Sequence, residues 1–449
     1  MNITKKILDN VWEMKLNRFP NEILEISKKC LLDYLGVTLA GAFILKDRGN
    51  NLLDSIDSKD DTSSVIGYKT KSNVVTASFI NGLSAHAAEL DDGMNSGIIH
   101  PGSPVISALL PIAEKYNSRG KDLLEAIVVG YEISALLANM IQPSHKLKGY
   151  HATGTCGTIG VAVAIAFLLD YSKEEMKNAI NTAVVSVSGT LKVLEDNSEL
   201  KPYNVAKASM NGVISAFMAK SGFEGPDDAF SGSNGFFSMM SDRVDLSYLE
   251  TSKRNCYFIQ KIYVKPYAAC RYCHPAIDGA LIIKNNNSLQ IQKIQQIIVN
   301  TYSLAVKNHD HTMINGVSSA KMSIPFSVSV ALLTDRAGIN EFCSKYINDP
   351  IVLSLLDKFT IVADKSFTAS FPKDSIAEVE VITYDGKSFK VRVDHPKGEP
   401  ENPLSDNELE TKFRSLACFS ERNQKQADLI IDTVLDIEVK LKYLYDLVR

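Results

Sequence analysis

Net charge is nearly absent from this sequence. Its 449 residues carry a formal charge of −4, which gives no general reason to bind nucleic acid or a membrane. Long hydrophobic runs are also lacking. The longest reads as about Ile159–Leu169, short of the roughly 20 residues a bilayer requires. The opening stretch, MNITKKILDNVWEMKLNRF, has no apolar segment of the secretory kind, so the expected location is cytoplasmic. Cysteines number seven, scattered from Cys30 to Cys418, and an odd, dispersed set does not suggest a disulfide framework. Reduced thiols are expected. With 45% hydrophobic and 22% charged residues, the composition is that of an ordinary globular protein, long enough for two or three domains.

What is present is a succession of helical patterns. Thr4–Val11 and Pro20–Leu39 read as helices, the second with apolar residues at helical spacing and Gly36 and Gly41 for close packing. Val74–Ala88 reads as a helix interrupted by Asn81-Gly82 and ended by the acidic knot Glu89-Leu90-Asp91-Asp92. Helices are expected again over Pro104–Tyr116, Leu123–Leu137, Ile159–Leu169, Met176–Leu191 and Val205–Ser221. His151–Thr158 reads as a loop and first turn, and Glu195–Lys201 as a polar loop. Near residue 263 the pattern changes. Lys293–Tyr302 is β-branched and strand-like, Met322–Leu333 returns to helix, and Glu378–Thr383 and Ser388–Val393 flank Asp385-Gly386, a hairpin signal. Helices resume with Ser405 as a cap, then Gln424–Leu435. The expectation is a mostly α chain: an all-helical domain from residues 1–263 and 400–449, and an inserted, smaller α+β domain over 264–399.

Chemistry-bearing residues gather where loops are expected. Lys201, Lys207, Lys265 and Arg271 stand beside loop-like or proline-marked segments. Converging cations suit a substrate with two or three carboxylates, although each is also compatible with a solvated surface position. Histidines number only eight. His100, His151, His274 and His395 adjoin Pro, Gly, Thr or Cys, and a neutral imidazole is the usual proton carrier near neutral pH; a structural histidine bonded to backbone is the other reading. Glu89, Asp91 and Asp92 could orient His100, accept a proton or bind a divalent ion, or could simply end a helix. His309-Asp310-His311 lacks a companion pair at zinc-like spacing and reads as a surface loop, so no metal site is expected.

Lys265–Gly279, KPYAACRYCHPAIDG, is the densest such stretch. Cys270-Arg271-Tyr272-Cys273-His274 matches the haem-attachment and CxxC redox patterns in form. Haem attachment would require export, and nothing else of a thioredoxin-like unit is visible, so both readings fall. A thiol acting as a base or as a pocket wall stays open.

Together the stretches LLDYLGVTLAG (31–41), FINGLSAHAAELDD (79–92), HPGSPVISALLP (100–111), GYHATGTCGTIGVA (149–162), LKPYNVAKASMNG (200–212), KPYAACRYCHPAID (265–278) and DHPKGEPENPL (394–404) resemble the MmgE/PrpD family. The resemblance implies a helical domain built from both ends of the chain, an inserted α+β lid, a homodimer, and an active site without a cofactor in the cleft between domains. It implies site positions at His100, His151, Lys201, Lys265, Glu89 and Asp91, with Cys270 among the catalytic candidates. Tyr150, Lys207, Arg271 and His274 are the substrate-contacting candidates. Glu89 stands where the family's decarboxylases have aspartate, Cys270 where they have an active-site histidine, and Asn204 where relatives often carry histidine. The expected activity is that of a lyase, dehydratase-type first, on a small di- or tricarboxylate. Alternatives are an epimerase of an iminodisuccinate-like dicarboxylate, a cis-aconitate-type decarboxylase, and a helical polycarboxylate-binding protein without catalysis.

Overall fold

Asn73, Ser172 and Asn423 each open a helix in the computed structural model, which describes residues 2–56, 61–194, 198–250 and 256–449. The Asn73 side chain accepts from the backbone N–H groups of Val75 and Thr76. Ser172 with Glu175, and Asn423 with Gln426, form reciprocal capping boxes. Such caps satisfy amide groups that the first helical turn leaves without partners. The chain is mostly α. It divides into two compact units, Met1–Ile262 with Asp406–Arg449, and Tyr263–Ser405.

The first unit is helical. Gly120–Ile141 and Ala152–Leu168 pack on one another at its centre, with nearly every residue of both buried. By length and composition Gly120–Ile141 is apolar enough to cross a bilayer, yet its apolar window is wholly buried in the protein; it is a core helix with a longer apolar reach than the 159–169 run. Asn21–Ile56, Gly102–Lys115, Lys173–Ser186 and Lys201–Lys220 each pack on one or both of the pair, and Val74–Ala87 packs in turn on Asn21–Ile56, Gly102–Lys115 and Lys201–Lys220. From the far end of the chain, Asp406–Phe419 packs against Asn21–Ile56.

Val74–Ala87 is not interrupted at Asn81-Gly82. Both residues have work to do inside the helix. Asn81 Oδ1 accepts from the Ile66 N–H at 2.9 Å, and a Cβ on Gly82 would lie 2.8 Å from the Ala206 Cα. Glycine here lets Lys201–Lys220 approach closely, and its weak helix propensity is overridden by packing. Gly41 does the same on the other side, where a Cβ would fall 1.8 Å from the Ser84 carbonyl oxygen. Two further boundaries differ from the sequence reading. The helix expected to begin at Ile159 already begins at Ala152, with His151 as its N-cap. Lys201 opens a helix rather than ending a loop, because Pro202 fits a first turn that needs no N–H. The preceding loop lies partly outside the described residues.

The second unit holds a four-stranded sheet in the order Phe359–Ala363, Ile294–Thr301, Ala377–Thr383, Ser388–Val393. The first pair is parallel and the others antiparallel. The helix His274–Asn287 packs on the last two strands. The hairpin falls where Asp385-Gly386 signals it, with Gly386 at φ 78°.

Candidate active site

At the end of the helix Val74–Ala87 the chain turns sharply. Glu89 adopts φ 58°, a left-handed conformation that costs a non-glycine residue on the order of 1–3 kcal/mol unless its surroundings hold it. The turn brings Asp91 back under the last helical turn, where its Oδ2 lies 2.6 Å from His86 Nδ1. The same oxygen accepts from the Ser103 hydroxyl at 2.7 Å. Asp92 Oδ1 accepts from the Gly102 N–H at 3.1 Å, and its Oδ2 from the Tyr131 hydroxyl at 2.5 Å. Burial raises the Asp92 carboxyl to about 7, helped by the neighbouring charges of Asp33 and Asp91 and opposed by the bonds from Tyr131 and Gly102.

His100 meets this knot from the next loop. Its Nδ1 lies 2.5 Å from the Asp92 carbonyl oxygen. A carbonyl only accepts, so Nδ1 carries the proton and the neutral ring keeps its lone pair on Nε2. Its backbone N–H donates to Thr153 Oγ1 at 3.1 Å, tying the loop to the first turn of Ala152–Leu168. His151, the N-cap of that helix, is buried. Desolvation holds its imidazole well below the usual range, with the charges of His86, Lys201 and His100 adding to the effect and Glu89 opposing it. Near neutral pH the ring is therefore uncharged. Asn204 Nδ2 donates to the Thr190 carbonyl at 3.2 Å, which fixes the amide orientation, and approaches His151 Nδ1 at 3.5 Å. That side of the ring faces a donor, so the His151 proton belongs on Nε2.

Lys201 completes the group. Its ammonium lies 2.5 Å from Glu89 Oε1, both side chains nearly buried. The structure thus brings together His100, His151, Lys201, Glu89 and Asp91. It adds His86, which the sequence reading passed over. The His86 ring centroid is 5.2 Å from that of His100 and 5.9 Å from that of His151, and its Nε2 has no hydrogen-bond partner among the described residues. His86 lies inside an apolar helical pattern without proline or glycine beside it. The one available signal was its position a single turn before an acidic knot. Tyr150 stacks on His145 at 5.1 Å; His145 Nδ1 lies 2.9 Å from the Met240 carbonyl, and burial lowers this ring to about 4. Lys207 sits further along its helix over the Tyr203 ring at 5.5 Å, with no ion pair among the described residues.

The second unit carries the Lys265–Gly279 stretch. Lys265 and Arg271 are buried, not solvated. Arg271 Nη2 pairs with Glu399, its Nη1 lies 2.9 Å from His274 Nδ1, and its guanidinium lies 4.6 Å from the Tyr263 ring centroid. His274 Nε2 is 3.2 Å from the Ala269 carbonyl, so Nε2 bears the ring proton and Nδ1 accepts from arginine. Cys270 caps the turn Arg271–Cys273 that runs into His274–Asn287. Cys273 is fully buried and its thiol is pushed well up by desolvation, the setting of an unreactive thiol. His309 is buried beside Tyr272 at 5.3 Å rather than on a surface loop. Among the described residues, no three His, Cys, Asp or Glu side chains are grouped to hold a metal ion.

Three imidazoles and a lysine thus gather around an acidic turn in a mostly helical protein. Residues 5–249 match the MmgE/PrpD N-terminal domain and residues 267–437 the MmgE/PrpD C-terminal domain. The chain belongs to the MmgE/PrpD family, as the sequence resemblance implied. It is 26% identical to a cis-aconitate decarboxylase-like protein, oryM, of Aspergillus oryzae over 97% of this chain and 95% of that one. It is 25% identical to the cis-aconitate decarboxylase of Mus musculus over 93% of this chain and 87% of the relative. Against the Homo sapiens cis-aconitate decarboxylase the figures are 25%, 93% and 88%.

Proposed function

We propose that the protein is a lyase that works without a cofactor on a small di- or tricarboxylate, with His100 as the proton carrier and His151 as a neutral electrophile. The observation that carries this reading is the opposite hydrogen-bonding environment of two neighbouring rings, an acceptor against His100 Nδ1 and a donor against His151 Nδ1. His100 donates from Nδ1 to the Asp92 carbonyl and so keeps a basic Nε2, whereas His151 is desolvated and uncharged with its proton on the other nitrogen.

In a dehydration, His100 Nε2 takes the proton α to a substrate carboxylate as the carbon–oxygen bond to the β-hydroxyl breaks. The imidazolium then returns that proton to the departing hydroxyl, so substrate is converted to an unsaturated acid and water. The His151 N–H donates a hydrogen bond to the oxygen on which enolate charge develops, and Lys201, steadied by Glu89, offsets the same charge. Donors fixed in a desolvated site require little reorganisation during reaction, which is why they lower the barrier. A neutral imidazole cannot give up its remaining proton at ordinary pH, so His151 acts as a hydrogen-bond donor.

Decarboxylation is the second reading, favoured by the activity named for the mouse and human relatives. There the carbon–carbon bond to a carboxylate breaks, carbon dioxide leaves, and protonated His100 delivers its proton to the resulting carbanion. Incubating the enzyme with a panel of di- and tricarboxylates in deuterated buffer, followed by NMR, separates the outcomes. Dehydration yields a vinylic product and water. Decarboxylation yields carbon dioxide and a product carrying solvent deuterium at the vacated carbon. α-Exchange with formation of only a diastereomer would replace the lyase reading with epimerisation, and binding without turnover would replace it with a binding protein.

A further inference from the structure

Glu89 holds a strained backbone conformation, and something must keep it there. Its own amide donates to the His86 carbonyl at 3.3 Å. The next residue is held from a distant part of the chain. Lys412, on the returning helix Asp406–Phe419, donates from Nζ to the Leu90 carbonyl at 3.0 Å across a sequence separation of 322. The same ammonium lies 2.5 Å from Asp33 Oδ1. Lys412 and Asp33 have side chains only 9% and 2% exposed.

We propose that Lys412 is a positioning residue for the site: anchored on Asp33, its ammonium clamps the Leu90 carbonyl and thereby holds the turn that delivers Glu89 to Lys201 and Asp91 to His86. This rests on the functional reading above for the meaning of turnover, though not for the geometry.

A buried ion pair by itself is a poor explanation for these residues. The desolvation of two charges roughly cancels their attraction, and apolar pairs of similar volume often substitute without loss of stability. What an apolar pair cannot do is donate to a carbonyl. Leu90 stands between the two acidic residues that engage Lys201 and His86, so fixing its peptide fixes both. The charged and titratable groups around the clamp are consistent with a tuned arrangement. Asp33 also faces Cys30 and Asp92, which burial raises and the Asp33 charge raises further; the Lys412 ammonium sits against that carboxylate.

Lys412→Met alone takes the ammonium away from the buried Asp33 carboxylate and so can act through folding. The deciding protein is therefore the double variant Asp33→Val/Lys412→Met, which removes both charges together. It should fold with a thermal midpoint near that of the parent. Its kcat should fall roughly 10- to 100-fold with little change in KM, the signature of misplaced groups rather than lost binding. Independently of any substrate, the downfield proton signal of His86 Nδ1–H bonded to Asp91 should weaken or broaden in its NMR spectrum. A double variant that retains both the parent kcat and the His86 signal would reduce Lys412 to a structural ion pair. Should no carboxylate prove to be a substrate, the imidazole signal still decides the clamp.

Discussion

His86 and Asp91 face each other across the end of one helix, with Nδ1 and Oδ2 2.6 Å apart and the ring fully buried. The pair fixes the Asp91 carboxylate, which also lies 3.7 Å from His100 Nδ1. Replacing His86 with Gln should leave the helix intact but let the knot relax. The expected result is a loss of stability of about 1–3 kcal/mol from the broken buried hydrogen bond, with kcat reduced more than KM. Urea unfolding and steady-state kinetics on the same preparation would check both. A variant with wild-type kcat would show that His86 is packing alone.

His100 and His151 should respond differently to substitution. His100→Gln removes the proton carrier, and general acid–base groups typically contribute about 10²–10⁴-fold; kcat should fall by that order with little change in thermal midpoint, since the side chain is only partly buried. His151→Gln keeps a donor near the enolate oxygen and should retain more activity than His151→Leu, with both variants folded. Full turnover by His151→Leu on the true substrate would remove His151 from the mechanism.

Much of this arrangement was legible in the residues, and its gaps have physical causes. Gln424–Leu435 is bounded as its periodicity indicated because a local capping box specifies its start. The hairpin at Ala377–Thr383 and Ser388–Val393 follows from one Asp-Gly turn. Phe359–Ala363 was not read as a strand. It is an edge strand paired only with Ile294–Thr301, and it shows no clean alternation of burial. Asn81-Gly82 misled because a close helix crossing is a tertiary event that propensity does not record. The candidate residues His100 and His151, which the fold brings into one cluster with His86, stood out through their loop-like neighbours. The Arg271–Glu399 pair spans a sequence separation of 128, and no local pattern announces a partner so far away.

That pair carries the next prediction. Arg271 and Glu399 are 5% and 6% exposed in their side chains, so Arg271→Met takes the guanidinium away from a buried carboxylate. Breaking a buried pair from one side costs about 3–5 kcal/mol, whereas removing both partners is often neutral. Arg271→Met should therefore lower the unfolding midpoint clearly, and Arg271→Met/Glu399→Leu should recover most of it. If the single variant kept its stability and raised only KM, the guanidinium would instead be serving the substrate.

Acid stability should separate groups that pull in opposite directions. Burial lowers His145 to about 4 and depresses His151. Both bind protons more readily in the unfolded chain, so their contribution is complete above about pH 6.5 and is lost as pH falls towards 4. Asp92 has the reverse sign. Its folded carboxyl is raised to about 7, so it binds a proton more readily in the folded chain, stabilises below the unfolded value of about 3.9, and loses that contribution as pH rises to 7. Between about pH 4.5 and 6.5 Asp92 thus offsets one of the two histidines. Asp92→Asn keeps an oxygen for the Gly102 N–H, turns its amide N–H₂ towards the Tyr131 hydroxyl, which can accept from it, and removes the titration. Its stability should fall more steeply on acidification than the parent's, by about 1.4 kcal/mol per pH unit. Parallel urea unfolding of the two proteins across that window measures the difference directly; equal slopes would mean that Asp92 remains an ordinary carboxylate in the folded protein.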